Sequence, residues 1–422
     1  MKSIFYPQIF KTFKDYSLKK LSSDIIAGVI VAIIALPLSI ALSLASGASP
    51  EKGLYTAIIA GFVISLLGGS EVNISGPTAA FAVIVAGIIN DDAKGFEGLV
   101  IATIMAGIIL IILGLLRAGS LIKYIPKTIT IGFTGGIAVT IFIGQIKDFL
   151  GLTFGKDVRP VESVEKIEAV AEHINTINVS AIILGIICLL ILVFWTKISK
   201  KIPGSLIVVL LGTAAVKLLN ANIDTIGDLY NISTALPSFN LPKFNLDLVV
   251  SLIPDAFTIA ILAGIESLLS CVVSDTMIND KHNSNTELIA QGIGNVCVGF
   301  FGGIPATGAI ARTAANVKNG GRSPIAGITH AIVLFFVLII LMPYAAWIPM
   351  PVIATILFMV AYNMSEWREF VHIIKSKNIC DIIILVLTFA LTVIFDLVVA
   401  IAIGLTLHVI LTLAKKLKQK NA

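Results

Sequence analysis

The sequence predicts an all-α integral membrane protein that spans the bilayer fourteen times as two inverted repeats. Three observations predict this: 57% of the residues are hydrophobic, only 13% are charged, and long apolar stretches recur along the chain. An average soluble domain carries about 25% charged residues. The mean hydropathy of +1.00 therefore argues against a soluble enzyme or a nucleic-acid-binding protein, and it makes the lipid bilayer the expected surroundings.

A helix needs about 20 apolar residues to cross a bilayer, and fewer where it is broken. Four stretches are clear full spans: 25–44, 98–116, 179–196 and 327–348. Seven are shorter or rich in glycine: 54–67, 128–146, 203–217, 255–274, 350–364, 381–395 and 397–413. Three are short and interrupted: 77–90, 287–301 and 306–317. In chain order these are spans 1 to 14, and the even number places both termini on one side.

Lysine and arginine are enriched in cytoplasmic loops, so their distribution predicts the orientation. Of 30 such residues, 21 fall on the face that holds both termini, and 8 fall on the face with the long loops 147–178 and 218–250. We therefore expect a protein of the inner (plasma) membrane with both termini in the cytoplasm. The N-terminus lacks a signal-peptide cleavage pattern. The four cysteines lack metal or redox spacing, so no cofactor and no metal is expected.

Two pairs of motifs relate the halves of the chain. "GGSEVNISGPTAAFAV" at 68–83 resembles "GGIPATGAIARTAANV" at 302–317, and "LIKYIPKTITIGF" at 121–133 resembles "YAAWIPMPVIATILF" at 344–358. Repeats with an odd number of spans insert in opposite orientations. The matches predict a single transport domain over 1–422, built from inverted repeats of seven spans at about 20–220 and 250–415.

Spans 3 and 10 lie in the first pair of motifs and are too short to cross the bilayer alone. Pro77 and Pro305 lack a backbone N–H and suit the start of a helix. Two half-helices that begin there would direct their positive dipole ends at each other, an arrangement that suits an anion. Arg312 would follow about one and a half turns into the second half-helix. Glycine and proline can also serve close packing, but an intramembrane arginine favours a functional site.

Span 8 contains one acidic residue, Glu266, and Ser270 lies on the same helical face. A carboxylic acid in dry surroundings can carry a proton near neutral pH. Glu266 and Ser270 could instead bind Na⁺ with backbone carbonyls, and an ion pair between Glu266 and Arg312 is a structural alternative. We expect a coupling-ion site at Glu266 and Ser270. No nucleophile–base pair is evident, so we expect no enzyme and no catalytic residues.

Several stretches of the chain resemble the sulfate permease (SulP) family of anion transporters. The likeness is carried by "ALPLSIALSLASGASPEKGLYTAIIAGFVISLLGGSEVNISGPTAAFAVIV", "NTELIAQGIGN" and "GGIPATGAIARTAANV". The resemblance implies a core domain of spans 1–4 and 8–11 and a gate domain of spans 5–7 and 12–14, which work by an elevator motion. It also implies a homodimer. Most members carry a cytoplasmic STAS domain after the last span, but this chain stops at Ala422 and we expect none within it.

Carried over by motif, the resemblance implies a substrate site between spans 3 and 10, completed by Glu266 and Ser270. Its residues are Gly76, Pro77, Thr78 and Ala79 on span 3, and Thr307, Gly308, Ala309, Ala311 and Arg312 on span 10.

Within the family, the chain is most similar to a branch that includes C4-dicarboxylate carriers, through "IESLL", "AIARTAANV" and "MVAYNMSE". Sodium–bicarbonate carriers of the family tend to lack the arginine of span 10. We therefore predict a secondary active transporter of an oxyanion such as sulfate, or of a C4-dicarboxylate, coupled to protons (H⁺). The alternatives are a Na⁺-coupled bicarbonate transporter and an uncoupled anion channel or exchanger.

Overall fold

The computed structural model describes residues 5–12, 16–120, 126–155, 158, 160, 162–199, 202–376, 378–394, 400, 403, 404, 406 and 407. The helices in these ranges are α1 (Ile9–Thr12), α2 (Leu18–Ala45), α3 (Pro50–Leu67), α4 (Ala82–Asn90), α5 (Gly95–Leu115), α6 (Lys127–Leu150), α7 (Ser163–Glu172), α8 (Val179–Ile198), α9 (Gly204–Leu219), α10 (Ile226–Leu229), α11 (Leu246–Ser251), α12 (Ile253–Ile278), α13 (Ser284–Phe300), α14 (Ile310–Lys318), α15 (Pro324–Ala345), α16 (Met350–Met364), α17 (Trp367–Lys375) and α18 (Ile379–Ile394). Two 3-10 helices span Ala79–Phe81 and Ile174–Thr176, and the two strands are β1 (Ser75–Gly76) and β2 (Thr307–Gly308).

Thirteen of the predicted spans coincide with helices. Six of these helices, α2, α3, α5, α6, α12 and α15, are long and apolar enough to cross a membrane. Spans 3, 6, 7 and 13 correspond to shorter apolar helices, and spans 9, 10 and 12 correspond to α13, α14 and α16. Span 14, predicted at 397–413, lies mostly outside the described residues.

Small residues let these helices approach one another closely, as is typical of membrane bundles. Helix α5 packs on α13, and a Cβ atom added to Gly107 would lie 2.6 Å from the Gly292 carbonyl oxygen. Helix α15 packs on α2 and α3, and α12 packs on α5 and α14. These contacts bring the two motifs that contain spans 3 and 10 toward each other.

A further group of contacts involves the helices of spans 5, 6, 7, 12 and 13. Helix α6 packs on α16 and α18, while α8 and α9 pack on each other and on α16. Glycine again allows close contact, because a Cβ atom at Gly132 of α6 would lie 2.9 Å from the Leu385 carbonyl oxygen of α18. Helix α4 contacts α5 on one side and α6 on the other, so it lies where the two groups of helices meet.

Candidate functional site

The two matched motifs meet as a buried antiparallel pair of strands. Ser75 lies opposite Gly308, and Gly76 lies opposite Thr307. The Ala309 amide extends the ladder by donating to the Ile74 carbonyl at 2.8 Å. Strand β1 also packs on α3, and β2 packs on α12. The pair therefore joins the two halves of the chain at the point where spans 3 and 10 begin.

The prediction that Pro77 and Pro305 start the two half-helices is wrong. The backbone is still extended at Thr78 and at Ala309, which are the N-cap residues of the two segments. The helical turn of span 3 begins at Ala79, and α14 begins at Ile310. Arg312 consequently lies in the first turn of α14, nearer to the strand pair than the one and a half turns expected from the sequence.

Arg312 reaches from α14 across to the backbone of span 3. Its side chain is buried, with the residue 3% exposed, and Nη2 donates a hydrogen bond to the Pro77 carbonyl oxygen. Its Nη1 group has no hydrogen-bond partner among the described residues. Gly76 makes room for this group, because a Cβ atom there would lie 2.5 Å from Nη1. A buried guanidinium with free donors is well suited to bind an anion.

Glu266 contacts span 3 instead of Arg312. The Thr78 hydroxyl donates to Glu266 Oε2 at 2.8 Å, and both side chains are only partly buried. Arg312 forms no ion pair with Glu266 or with any other described acidic residue. The ion pair considered as a structural alternative is therefore absent from this structure. Since Thr78 follows Pro77 directly, Glu266 and Arg312 contact adjacent residues of the same segment.

The remaining predicted residues surround the strand pair. The Thr307 hydroxyl is buried and donates to the Ala263 carbonyl of α12 at 2.7 Å. A Cβ atom at Gly308 would lie 2.6 Å from Asn73 Nδ2, so only glycine fits there without movement. Ala79 and Ala309 are buried, whereas Ala311 is exposed.

Ser270 takes part in a different set of contacts from Glu266. Its hydroxyl donates to Asn73 Oδ1 at 2.7 Å and lies 3.1 Å from Thr313 Oγ1. The Thr313 hydroxyl in turn accepts a hydrogen bond from the Ile74 amide at 3.0 Å. Ser270 is fully buried, so its hydroxyl connects α12 to the segment before β1 and to α14.

Glu287 is a buried residue of this site that the sequence analysis missed. It is 0% exposed, and its Oε1 accepts hydrogen bonds from Asn73 Nδ2 at 2.8 Å, Gln291 Nε2 at 2.9 Å and Ser267 Oγ at 3.1 Å. Its Oε2 accepts from the Gly69 amide at 2.9 Å. Every contact uses the side chain as an acceptor, as an ionised carboxylate requires. An acid inside "NTELIAQGIGN" was the available signal, since intramembrane acids are rare.

A cleft of about 270 Å³ lies between α4 and α6. Its walls are formed by α4, with Ala82 and Gly87, and by α6, with Thr140 and Gly144. Residues of α2, α7, α12 and α18 also line it, together with Lys94 and Glu162. Ala82, the first residue of α4, lines the cleft and lies four residues after Thr78 in the chain.

A buried arginine between two interrupted segments of a multi-pass helical bundle is an arrangement that suits a membrane transporter for anions. The chain belongs to the sulfate permease family, whose model matches residues 21–388. This confirms the family resemblance and the all-α membrane fold predicted from the sequence. It also confirms a transporter and not an enzyme.

Two sequence relatives are similar over most of this chain. A protein of Bacillus subtilis (strain 168), named "Putative sulfate transporter YvdB", is 47% identical over 401 residues, which are 94% of this chain and 74% of that protein. The bicarbonate transporter BicA of Picosynechococcus sp. is 33% identical over 411 residues, which are 94% of this chain and 71% of that protein.

Two solved structures are similar to this fold. The transmembrane domain of a cyanobacterial bicarbonate transporter BicA matches with a TM-score of 0.83 and 32% identity, over 91% of this chain and 98% of that one. The anion transporter SLC26A9 matches with a TM-score of 0.87 over 96% of this chain and 68% of that one, and its identity of 21% supports the fold alone.

Proposed function

We propose that this chain is a secondary active transporter of a small oxyanion, with sulfate as the first candidate and a C4-dicarboxylate as the second. The observation that carries the proposal is the buried Arg312 guanidinium, whose Nη1 group is unpaired among the described residues. Free N–H groups in the first turn of α14 add partial positive charge beside it. The 47% identity with the Bacillus subtilis relative supports sulfate.

Transport of bicarbonate is the alternative function, because the BicA relatives are about one third identical to this chain. A competition assay distinguishes the substrates. Purified protein in proteoliposomes takes up labelled sulfate under an imposed pH or Na⁺ gradient, while unlabelled bicarbonate, succinate or chloride competes. Strong inhibition by bicarbonate together with dependence on Na⁺ would replace the sulfate proposal. Uptake that depends on neither gradient would support the channel or exchanger alternative.

The transport movement is proposed to displace a core domain, spans 1–4 and 8–11, against a gate domain, spans 5–7 and 12–14. The packing supports this division, because α5 contacts α13 and α12 while α6 contacts α16 and α18. The 270 Å³ cleft supports it further, since its walls come from α4 of the first set and from α6 and α18 of the second. Homodimerisation, implied by the family resemblance, stays a prediction.

Glu266 is proposed to couple transport to protons, with Ser270 supporting the same region of span 8. Thr78 donates to Glu266 Oε2 at 2.8 Å and directly follows Pro77, the residue that Arg312 contacts. A change of charge on Glu266 therefore acts on the segment that holds the anion site. Glutamine keeps the size of the side chain but cannot be ionised.

Glu266→Gln is expected to abolish the response of sulfate uptake to a proton gradient while leaving sulfate exchange partly intact. The measurement compares uptake into proteoliposomes with and without an inward proton gradient. Glu369→Gln is the matched control, because Glu369 lies on α17 in an exposed ion pair with Lys127. If the Glu266 variant keeps its full pH response, the proton site lies elsewhere.

We place the protein in the plasma membrane with both termini in the cytoplasm, from the excess of Lys and Arg on that face. Single cysteines at the exposed positions Asn175 and Lys281, in a background with the four native cysteines replaced, test this orientation. The cysteine at Asn175 is expected to react with an impermeant thiol reagent added outside intact cells, and the one at Lys281 is expected to react only after lysis. The opposite labelling pattern would exclude the proposed topology.

A further inference from the structure

A second cavity adjoins the cleft near the C-terminal end of α4. It has a volume of about 310 Å³, and its lining includes Asn90, Lys147 and Tyr230. Gly144 and Lys166 line both this cavity and the 270 Å³ cleft. We call the 310 Å³ cavity the outer cavity. Lys166 lies at the boundary between this outer cavity and the 270 Å³ cleft.

The charges around this boundary are unbalanced. Among its described lining residues, the outer cavity has two lysines and no carboxylate. Lys147 Nζ lies 4.9 Å from the centre of the Phe154 ring, and Lys166 has no ion-pair or hydrogen-bond partner for its ammonium group among the described residues. The outer cavity is thus basic on the side from which a solute would reach the cleft.

The two carboxylates that line the 270 Å³ cleft already have partners within the protein. Asp255 Oδ2 lies 3.0 Å from Lys94 Nζ, and Glu162 caps α7 by accepting from the backbone three residues on. Burial lowers the pKa of the half-buried Lys166 ammonium, and Glu165 on the same helix only partly opposes this. No carboxylate among the described residues lies within 4.0 Å of the ammonium nitrogen, so an anion can approach it.

We propose that Lys166, assisted by Lys147, forms a transient binding site for the transported anion, which the anion occupies before it moves between α4 and α6 to Arg312. This proposal rests on the function proposed above. A basic cleft raises the local concentration of anions and their rate of association. Lysine suits a transient site because its hydrated ammonium is a point charge, whereas the fork of an arginine holds an oxyanion in fixed geometry.

The test measures initial sulfate uptake into right-side-out membrane vesicles over a range of sulfate concentrations. Lys166→Gln is expected to raise KM about three- to tenfold at low ionic strength while changing Vmax less than twofold. The effect is expected to shrink when an impermeant salt shortens the Debye length. Lys166→Glu is expected to raise KM further, and Lys166→Arg is expected to stay close to wild type.

Lys217→Gln is the matched control, because it removes the same charge from a lysine that packs on the Trp347 ring outside both cavities. An unchanged KM in Lys166→Gln, or an equal change in Lys217→Gln, would overturn the proposal. So would a loss of Vmax at constant KM, which would assign Lys166 a structural role. Absence of saturable uptake by the wild-type protein is a separate outcome, and it would refute the transport function on which the proposal rests.

Discussion

Arg312→Ala is expected to weaken sulfate binding by roughly 30- to 1000-fold, which corresponds to about 2–4 kcal/mol. Arg312 is a buried positive charge at the pair of interrupted segments, and the partial charge of a helix end is only about half an elementary charge. A divalent anion that leaves water needs a full counter-charge and charge-assisted hydrogen bonds. The measurement is isothermal titration of sulfate into purified, monodisperse protein.

Arg312→Lys is expected to impair binding less than the alanine variant, because lysine keeps the charge but loses the planar fork of donors. Native affinity in Arg312→Ala would show that the arginine serves packing alone. Since Arg312 and Glu266 form no ion pair, Glu266→Gln is not expected to recover the stability that Arg312→Ala loses. Recovery of stability in the double variant would instead reveal a pair between the two side chains.

Gly76→Ala tests the same site with the arginine retained. The added Cβ atom would lie 2.5 Å from Arg312 Nη1, so the guanidinium must move while the backbone stays in place. Weaker sulfate binding with little loss of stability is therefore expected. Gly135→Ala is its control, because a Cβ atom there would come no closer than 3.4 Å to another residue and Gly135 lines neither cavity.

The candidate anion site could be predicted from the sequence because its signals are local. Glycine, proline and small residues interrupt two spans in matching motifs, and Arg312 is a charge in an apolar stretch. These local signals do not predict the residues at which the two half-helices begin. Those starting points depend on the pairing of β1 with β2, in which Gly76 lies opposite Thr307, a contact between distant parts of the chain.

The polar network around Glu287 escaped prediction for a different reason. Glu287 lies in the first turn of α13, where an acidic residue is favoured by the helix dipole and gives no sign of burial. Its burial follows from the packing of α13 on α3 and α5. The position of Ser270 has a similar explanation: helical periodicity places it on the face of Glu266, but the partner of its hydroxyl, Asn73, comes from another segment.

Glu287→Gln is expected to destabilise the protein by about 1–3 kcal/mol, because it leaves a buried hydrogen bond unsatisfied. Oxygen Oε1 accepts from three donors, including Asn73 Nδ2, and Oε2 accepts from the Gly69 amide. A glutamine can place its one oxygen toward only one of these groups. The amide N–H of the glutamine then faces another donor, which is either the Gly69 amide or the group of donors that includes Asn73 Nδ2. Glu287→Ala removes the acceptor of all four hydrogen bonds, and its expected cost is about 3–5 kcal/mol.

Thermal unfolding in detergent, followed by the reaction of a thiol-specific dye with the buried Cys188 and Cys271, measures this destabilisation. Sulfate binding is expected to weaken in Glu287→Gln as well, since Asn73 orients Thr313 beside Arg312 on α14. Glu369→Gln, which removes a charge from an exposed ion pair, is expected to shift the apparent melting temperature little. Equal melting temperatures for Glu287→Gln and wild type would mean that a neutral side chain satisfies the same donors. That outcome would contradict the stabilising role assigned here to the second carboxylate oxygen of Glu287.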